Sequence, residues 1–86
     1  MKQVWKYVIP TEDHFTLDMP RGAEILKVAV QKDQMCLWAL VDPEALDDPR
    51  NFRLAGTGHK ILEEGLKYIG TFMVLGRSLI FHLFEV

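Results

Sequence analysis

The sequence predicts an all-β fold: a small antiparallel β-sandwich or open barrel of about six to seven short strands, with at most one or two helical turns. Two observations carry this reading. Hydrophobic residues recur with period two along most of the chain, and clusters of Pro, Gly, Asp and Asn interrupt them at short intervals. The segments 23–43 and 66–86 are apolar on both faces of their strands, as in sheet that is covered on two sides or shared with a neighbour. Eighty-six residues make a single domain, 1–86, whose one core is barely sufficient unless a second chain helps to bury it.

Taken in order, residues 3–9 form the first strand, with Trp5, Tyr7 and Ile9 on one side and Val4, Lys6 and Val8 on the other, ending at Pro10. Residues 14–19 alternate again, with Phe15, Leu17 and Met19 inward. The short polar turn between them predicts a hairpin of strands one and two. Pro20, Arg21 and Gly22 then break the chain ahead of the central hairpin, 23–43.

If Lys32 and Asp33 are its two loop residues, Gln31 pairs with Gln34, Val30 with Met35, Val28 with Leu37 and Leu26 with Ala39. Lys27 then lies opposite Trp38, its stem along the indole. Lys-Asp is not a favoured type I′ pair, so a bulge or a longer loop is the competing arrangement. Because residues 35–41 are apolar on both sides, this strand is expected at the centre of a sheet covered above and below. On that basis Trp38→Ala is expected to cost about 3–5 kcal/mol.

Asp42 followed by Pro43 reads as a helix start worth one turn, since residues 44–49 have no period to extend it. Residues 51–55 return as a strand with Phe52 and Leu54 inward. Gly56, Thr57, Gly58 and His59 end it, and 60–66 is loop or a short helical turn. The C-terminal block is a second hairpin turning at Gly76 and Arg77, with Tyr68, Phe72 and Val74 on one face and Ile69, Met73 and Leu75 on the other. In its second half Leu79, Phe81 and Leu83 oppose Ile80, His82, Phe84 and Val86.

Composition narrows the function classes. With 49% hydrophobic and 26% charged residues the chain is an ordinary folded globule. A net charge of −2 with scattered Lys and Arg offers no footprint for a phosphate backbone, so nucleic acid is not expected as a partner. One cysteine forms no internal disulfide, which fits a reducing cytoplasm. No segment has the length of a membrane span, and the start has no signal-peptide core, so no membrane role is expected.

The motifs WKY, MPRGAEIL, VQ followed by CLWALVDP, RNF, GTGH, YIGTF and FHLFEV span nearly the whole chain. Together they resemble a family of small proteins of unknown function encoded by bacteriophages and prophages. The resemblance implies a small phage gene product in the cytoplasm of a bacterial host, with no activity to carry over to any residue.

The chemistry is weighed on the residues themselves. Gly56, Thr57, Gly58, His59 and Lys60 are the candidate ligand site: converging amides and an ammonium hold an anion in nests of this kind. A tight turn needing two glycines explains the same residues, and the spacing matches no phosphate-binding fingerprint. His14, His59, His82 and Cys36 are right for metal in type but not in spacing, so no metal and no cofactor are expected. A Cys36 and His82 dyad has no third orienting group, and the acidic run 44–48 reads as a solvated loop.

Three classes of function follow, in order of preference: a non-enzymatic phage or prophage accessory protein acting by contact with a host or phage protein; a binder of a nucleotide-like anion at residues 56–60 or in a dimer cleft; and an enzyme, for which no acid/base pair can be named. The excess of apolar faces over chain length predicts a homodimer, formed by pairing edge strands or by burying Phe84 and Val86 against their copies; the alternative is a monomer whose loops 44–49 and 60–66 fold over the spare face.

Overall fold

A computed structural model describes residues 1–76 and 78–86. Seven strands follow in chain order: β1 (Gln3–Val8), β2 (His14–Pro20), β3 (Glu24–Gln31), β4 (Gln34–Val41), β5 (Asp47–Gly56), β6 (Lys67–Val74) and β7 (Leu79–Glu85). They make two antiparallel sheets, β1-β4-β3 and β2-β5-β7-β6, stacked over one core. The all-β expectation holds, and the described residues contain no helix.

Alternation decides what enters that core. Met35, Leu37, Ala39 and Val41 of β4 face Phe52 and Leu54 of β5, Phe72 and Val74 of β6 and Leu83 of β7, all buried. Trp5 and Tyr7 of β1 and Phe15 and Leu17 of β2 pack at the margin, with Phe15 stacked on Phe52 at a 5.3 Å centroid distance.

The central hairpin turns at Lys32 and Asp33, whose φ values of 51° and 63° are those of a type I′ turn. The register runs as expected from Gln31↔Gln34 to Lys27↔Trp38. An unfavourable loop pair is tolerated because slipping by one residue would turn the whole buried row outward. Beyond Lys27 the pairing shifts: Ile25, not Leu26, stands opposite Ala39. Ile25 therefore joins the core, while Leu26 is 50% exposed. An equivalent irregularity between Tyr68 and Gly70 turns Ile69 inward and sends Tyr68 to the outer face with Phe84. Tyr68 and Phe72 thus lie on opposite faces, contrary to expectation.

β3 and β6 lean on each other where the sheets close. A Cβ on Gly70 would clash with Val28 Cγ2, so the approach depends on glycine there.

Three further expectations are corrected. β1 and β2 do not form a hairpin: β1 pairs with β4 and β2 with β5, because each strand's apolar row is buried by a different sheet. β5 begins at Asp47, not Asn51, and holds Pro49 opposite Asp18. Proline is accommodated because, among the described residues, Pro49 has only β2 as a strand beside it, the end of β7 reaching β5 at Asn51, whose O accepts from Val86 N. Finally, no strand covers the outer face of β4, where Trp38 and Leu40 are half-buried. Trp38 is half-buried and outside the core cluster, so its truncation is expected to cost less than that of a ring between the sheets.

The Asp42 turn is a single turn, with Asp42 Oδ1 accepting from Glu44 N at 3.0 Å. Residues 60–66 are irregular loop. Gly76 (φ 64°) sits in the last hairpin turn; Arg77 lies outside the described residues.

Candidate functional site

The expected ligand site, Gly56 to Lys60, leaves the end of β5 as a tight turn. His59 N donates to Gly56 O at 3.0 Å, and Gly58 takes φ 87°. The His59 ring folds back over Gly56, where a Cβ would lie 2.9 Å from Cε1. Gly58 thus has a structural reason in its φ, and the space beside Gly56 is taken by the exposed His59 ring. Thr57 N donates to Ile80 O at 3.2 Å, so two of the amides that would make a nest are already engaged within the protein. The Lys60 carbonyl accepts from Arg53 Nη2 at 3.1 Å. Beside the turn is a shallow cleft of about 280 Å³ lined by Gly56, Thr57, His59, Leu79, Ile80 and Phe81.

Hydroxyls and an imidazole connect this turn to the outer face of the four-stranded sheet. His82 Nε2 lies 2.8 Å from Thr57 Oγ1, and its Nδ1 lies 3.1 Å from Thr71 Oγ1, which in turn meets the Tyr68 hydroxyl. Both imidazole nitrogens are satisfied, so His82 serves to tie the turn to the sheet.

Below the turn, a cluster that sequence reasoning did not assemble fastens the loop after it. Arg53, 7% exposed, points outward from β5 and donates from Nη1 to Leu54 O at 2.6 Å. Its Nε lies 2.7 Å from Glu63 Oε2, an ion pair whose N–H is not aligned for a hydrogen bond. The same carboxylate oxygen is 2.7 Å from His14 Nε2. The hydrogen bond with His14 is the largest influence holding the Glu63 carboxyl below its usual range, with Arg53 adding to it. Segment 60–63 is thereby clasped over the sheet. An arginine between apolar neighbours in the strand run Phe52 to Ala55, followed by acidic residues in the next loop, was the available signal.

A second ion pair closes the other end. Arg50 Nε lies 2.7 Å from Glu85 Oε2, Nη2 is 2.8 Å from Glu85 Oε1, and Nη1 donates to Ala23 O at 2.6 Å. This two-pronged contact lowers the Glu85 pKa and raises that of Arg50.

The remaining expected residues are scattered. Cys36 is buried in the three-stranded sheet, whereas His14 and His82 belong to the other, so no Cys36 and His82 dyad exists. Among the described residues no group of His, Cys, Asp and Glu is arranged to hold a metal ion. Phe84 lies on the outer face of β7 against Tyr68, edge to face at 5.7 Å, and Val86 is 65% exposed. β7 is bonded on both sides, to β5 and β6, so it offers side chains but no free edge.

A further apolar surface lies elsewhere. On the outer face of the three-stranded sheet, Val4, Val8 and Leu26 are each about half exposed beside Trp38, Leu40 and Ala29. Across its middle run Lys6, Trp38 and Lys27 in register, an indole between two ammonium stems. No helix of the described residues is long and apolar enough to cross a membrane.

Neither a curated protein nor a solved structure matches this chain. A family model, described as a domain of unknown function (DUF7352), matches residues 1–86. The chain therefore belongs to the DUF7352 family.

Proposed function

We propose that this chain is a small non-enzymatic accessory protein of a phage or prophage, acting as a homodimer by contact with a host or phage protein in the bacterial cytoplasm. The phage setting is what the motif resemblance implies. The binding role is supported by one observation, the bare outer face of the three-stranded sheet, where a half-buried tryptophan is ringed by exposed aliphatic side chains and two lysines. Such a face fits a partner with an apolar centre and carboxylates at its rim. Leu26→Glu puts a charge on this face, and Met73→Glu does so on the other sheet. Affinity capture from host lysate is expected to recover the same partner with wild type and Met73→Glu and to lose it with Leu26→Glu. Equal recovery with Leu26→Glu overturns the reading.

The alternative, a nucleotide-like anion bound at Gly56 to Lys60 or in a dimer cleft, is favoured by the cleft beside Thr57 and His59. It is opposed by the amides already engaged there. Thermal unfolding with a set of nucleotides tests it, since a ligand at a hundredfold its Kd adds about 2.7 kcal/mol. No change with any nucleotide removes this alternative.

A further inference from the structure

We infer that β1 is the seam of the homodimer, pairing antiparallel with β1 of a second copy to make one six-stranded sheet from two three-stranded ones. This rests on the homodimer reading above and adds where and in what register the copies meet.

The backbone shows which groups β1 leaves unpaired. Ile9 N donates to Met35 O at 2.8 Å, continuing the register Val8↔Cys36, so the odd-numbered residues of this strand exchange hydrogen bonds with β4. The two-residue turn of the central hairpin demands the same phase: Gln31 and Gln34 bond each other, hence so do Ala29 and Cys36, which leaves Cys36 turned away from β1. The N–H and C=O groups of Val4, Lys6 and Val8 therefore point out of the sheet edge. Among the described residues none of them is bonded to another strand. An unpaired row of this kind is a template for an extended strand.

The other three edges are protected. β3 is bulged at Leu26 and leans on β6, and β6 has its own irregularity at Ile69. β2 ends in Pro20 and carries His14 and Asp18 along its outer side. β1 has neither bulge nor proline, and its single charged side chain is Lys6.

Lys6 selects the register. Symmetric pairing must place outer-face residues opposite one another, which leaves few choices. Setting Lys6 against the partner's Lys6, or sliding toward the N-terminus until it meets the partner's Lys2, opposes like charges. Sliding toward the C-terminus brings Pro10, which has no N–H, into the ladder. The remaining register sets Lys6 opposite the partner's Val4, Val8 opposite the partner's Lys2, and Trp5 opposite the partner's Trp5. Two bare faces then run on as one surface.

The test uses the intact chain. Lys6→Pro removes an outward N–H and leaves the β1–β4 ladder whole, because proline is accepted at edge positions of this phase. Sedimentation is expected to give a dimer for wild type and, for a folded Lys6→Pro, a dissociation constant raised about tenfold or more. In a Cys36→Ala background, a mixture of Val4→Cys and Lys6→Cys proteins should oxidise to the mixed dimer faster than either does alone. A wild-type monomer at micromolar concentrations overturns both the homodimer and the seam. A dimer that persists undiminished in Lys6→Pro overturns the seam alone. If that variant does not fold, the cysteine pairs decide, and no preference for the mixed dimer overturns the register and the seam.

Discussion

The two sheets present different outer faces to solvent. On the four-stranded sheet the chain supplies part of its own cover: segment 60–63 is drawn across buried Arg53 by the Arg53, Glu63 and His14 contacts, while Tyr68 and Met73 on the same outer face stay exposed. On the three-stranded sheet there is no such cover, and Trp38 stands half-buried among exposed Val4, Val8 and Leu26. The difference teaches that a strand apolar on both sides requires a cover but does not say whose. A loop supplies it over part of one sheet, and among the described residues nothing does so on the other.

The sharpest way to break this contrast is to compare truncations. Phe52→Ala, which removes a ring 1% exposed between the sheets, is expected to cost about 3–5 kcal/mol in denaturant unfolding. Trp38→Ala, on the bare face, removes a half-buried ring and is expected to cost less, about 1–3 kcal/mol. If the two cost the same, the outer face of β4 is covered in solution and the comparison fails.

Next in size is the clasp. Arg53→Ala deletes donors to Leu54 O and Lys60 O and leaves Glu63 with His14 alone, for an expected loss of about 1.5–3 kcal/mol. Hydrogen exchange should rise through residues 60–66 and stay unchanged on the central hairpin. A loss shared evenly by both sheets would mean that Arg53 supports the core rather than the cover.

The smallest effect is acid dependence. Glu63 and Glu85 both have pKa values lowered in the folded protein from an ordinary 4.5. Their contributions are present above that value and are lost as pH falls through the depressed folded values. Glu63→Gln removes the clasp's share, so its stability should fall below wild type at neutral pH and converge on it in acid. Parallel curves from about pH 7 to about pH 3 would show that the Glu63 contacts add nothing to stability.

Much of this fold was legible because alternation is local. Trp5, Phe15, Phe52 and Leu54 all face the side that their spacing assigned, and the Lys32 and Asp33 turn fixes most of the central register. What was not legible is non-local or costs the pattern one residue. Proximity in sequence suggested that strands one and two pair, yet the choice of sheet depends on β4 and β5. Bulges at Leu26 and Ile69 exchange faces without any glycine or proline at the bulged residue to announce them. Asp47 to Pro49 has loop composition but lies in a strand with one neighbour. The clasp was missed because Arg53 and Glu63 meet across a turn, and nothing in their spacing implies it.

Trp5 and Trp38 sit on adjacent strands of the same sheet and point to opposite sides of it: Trp5 is opposite Ala39, and Trp38 is opposite Lys6. Indole emission follows the polarity of its surroundings, so this chain carries an optical reporter on each side of one sheet, about a strand's width apart. With Trp5→Phe the remaining emission reads what settles on the bare face. With Trp38→Phe it reads the core margin and the β1 edge.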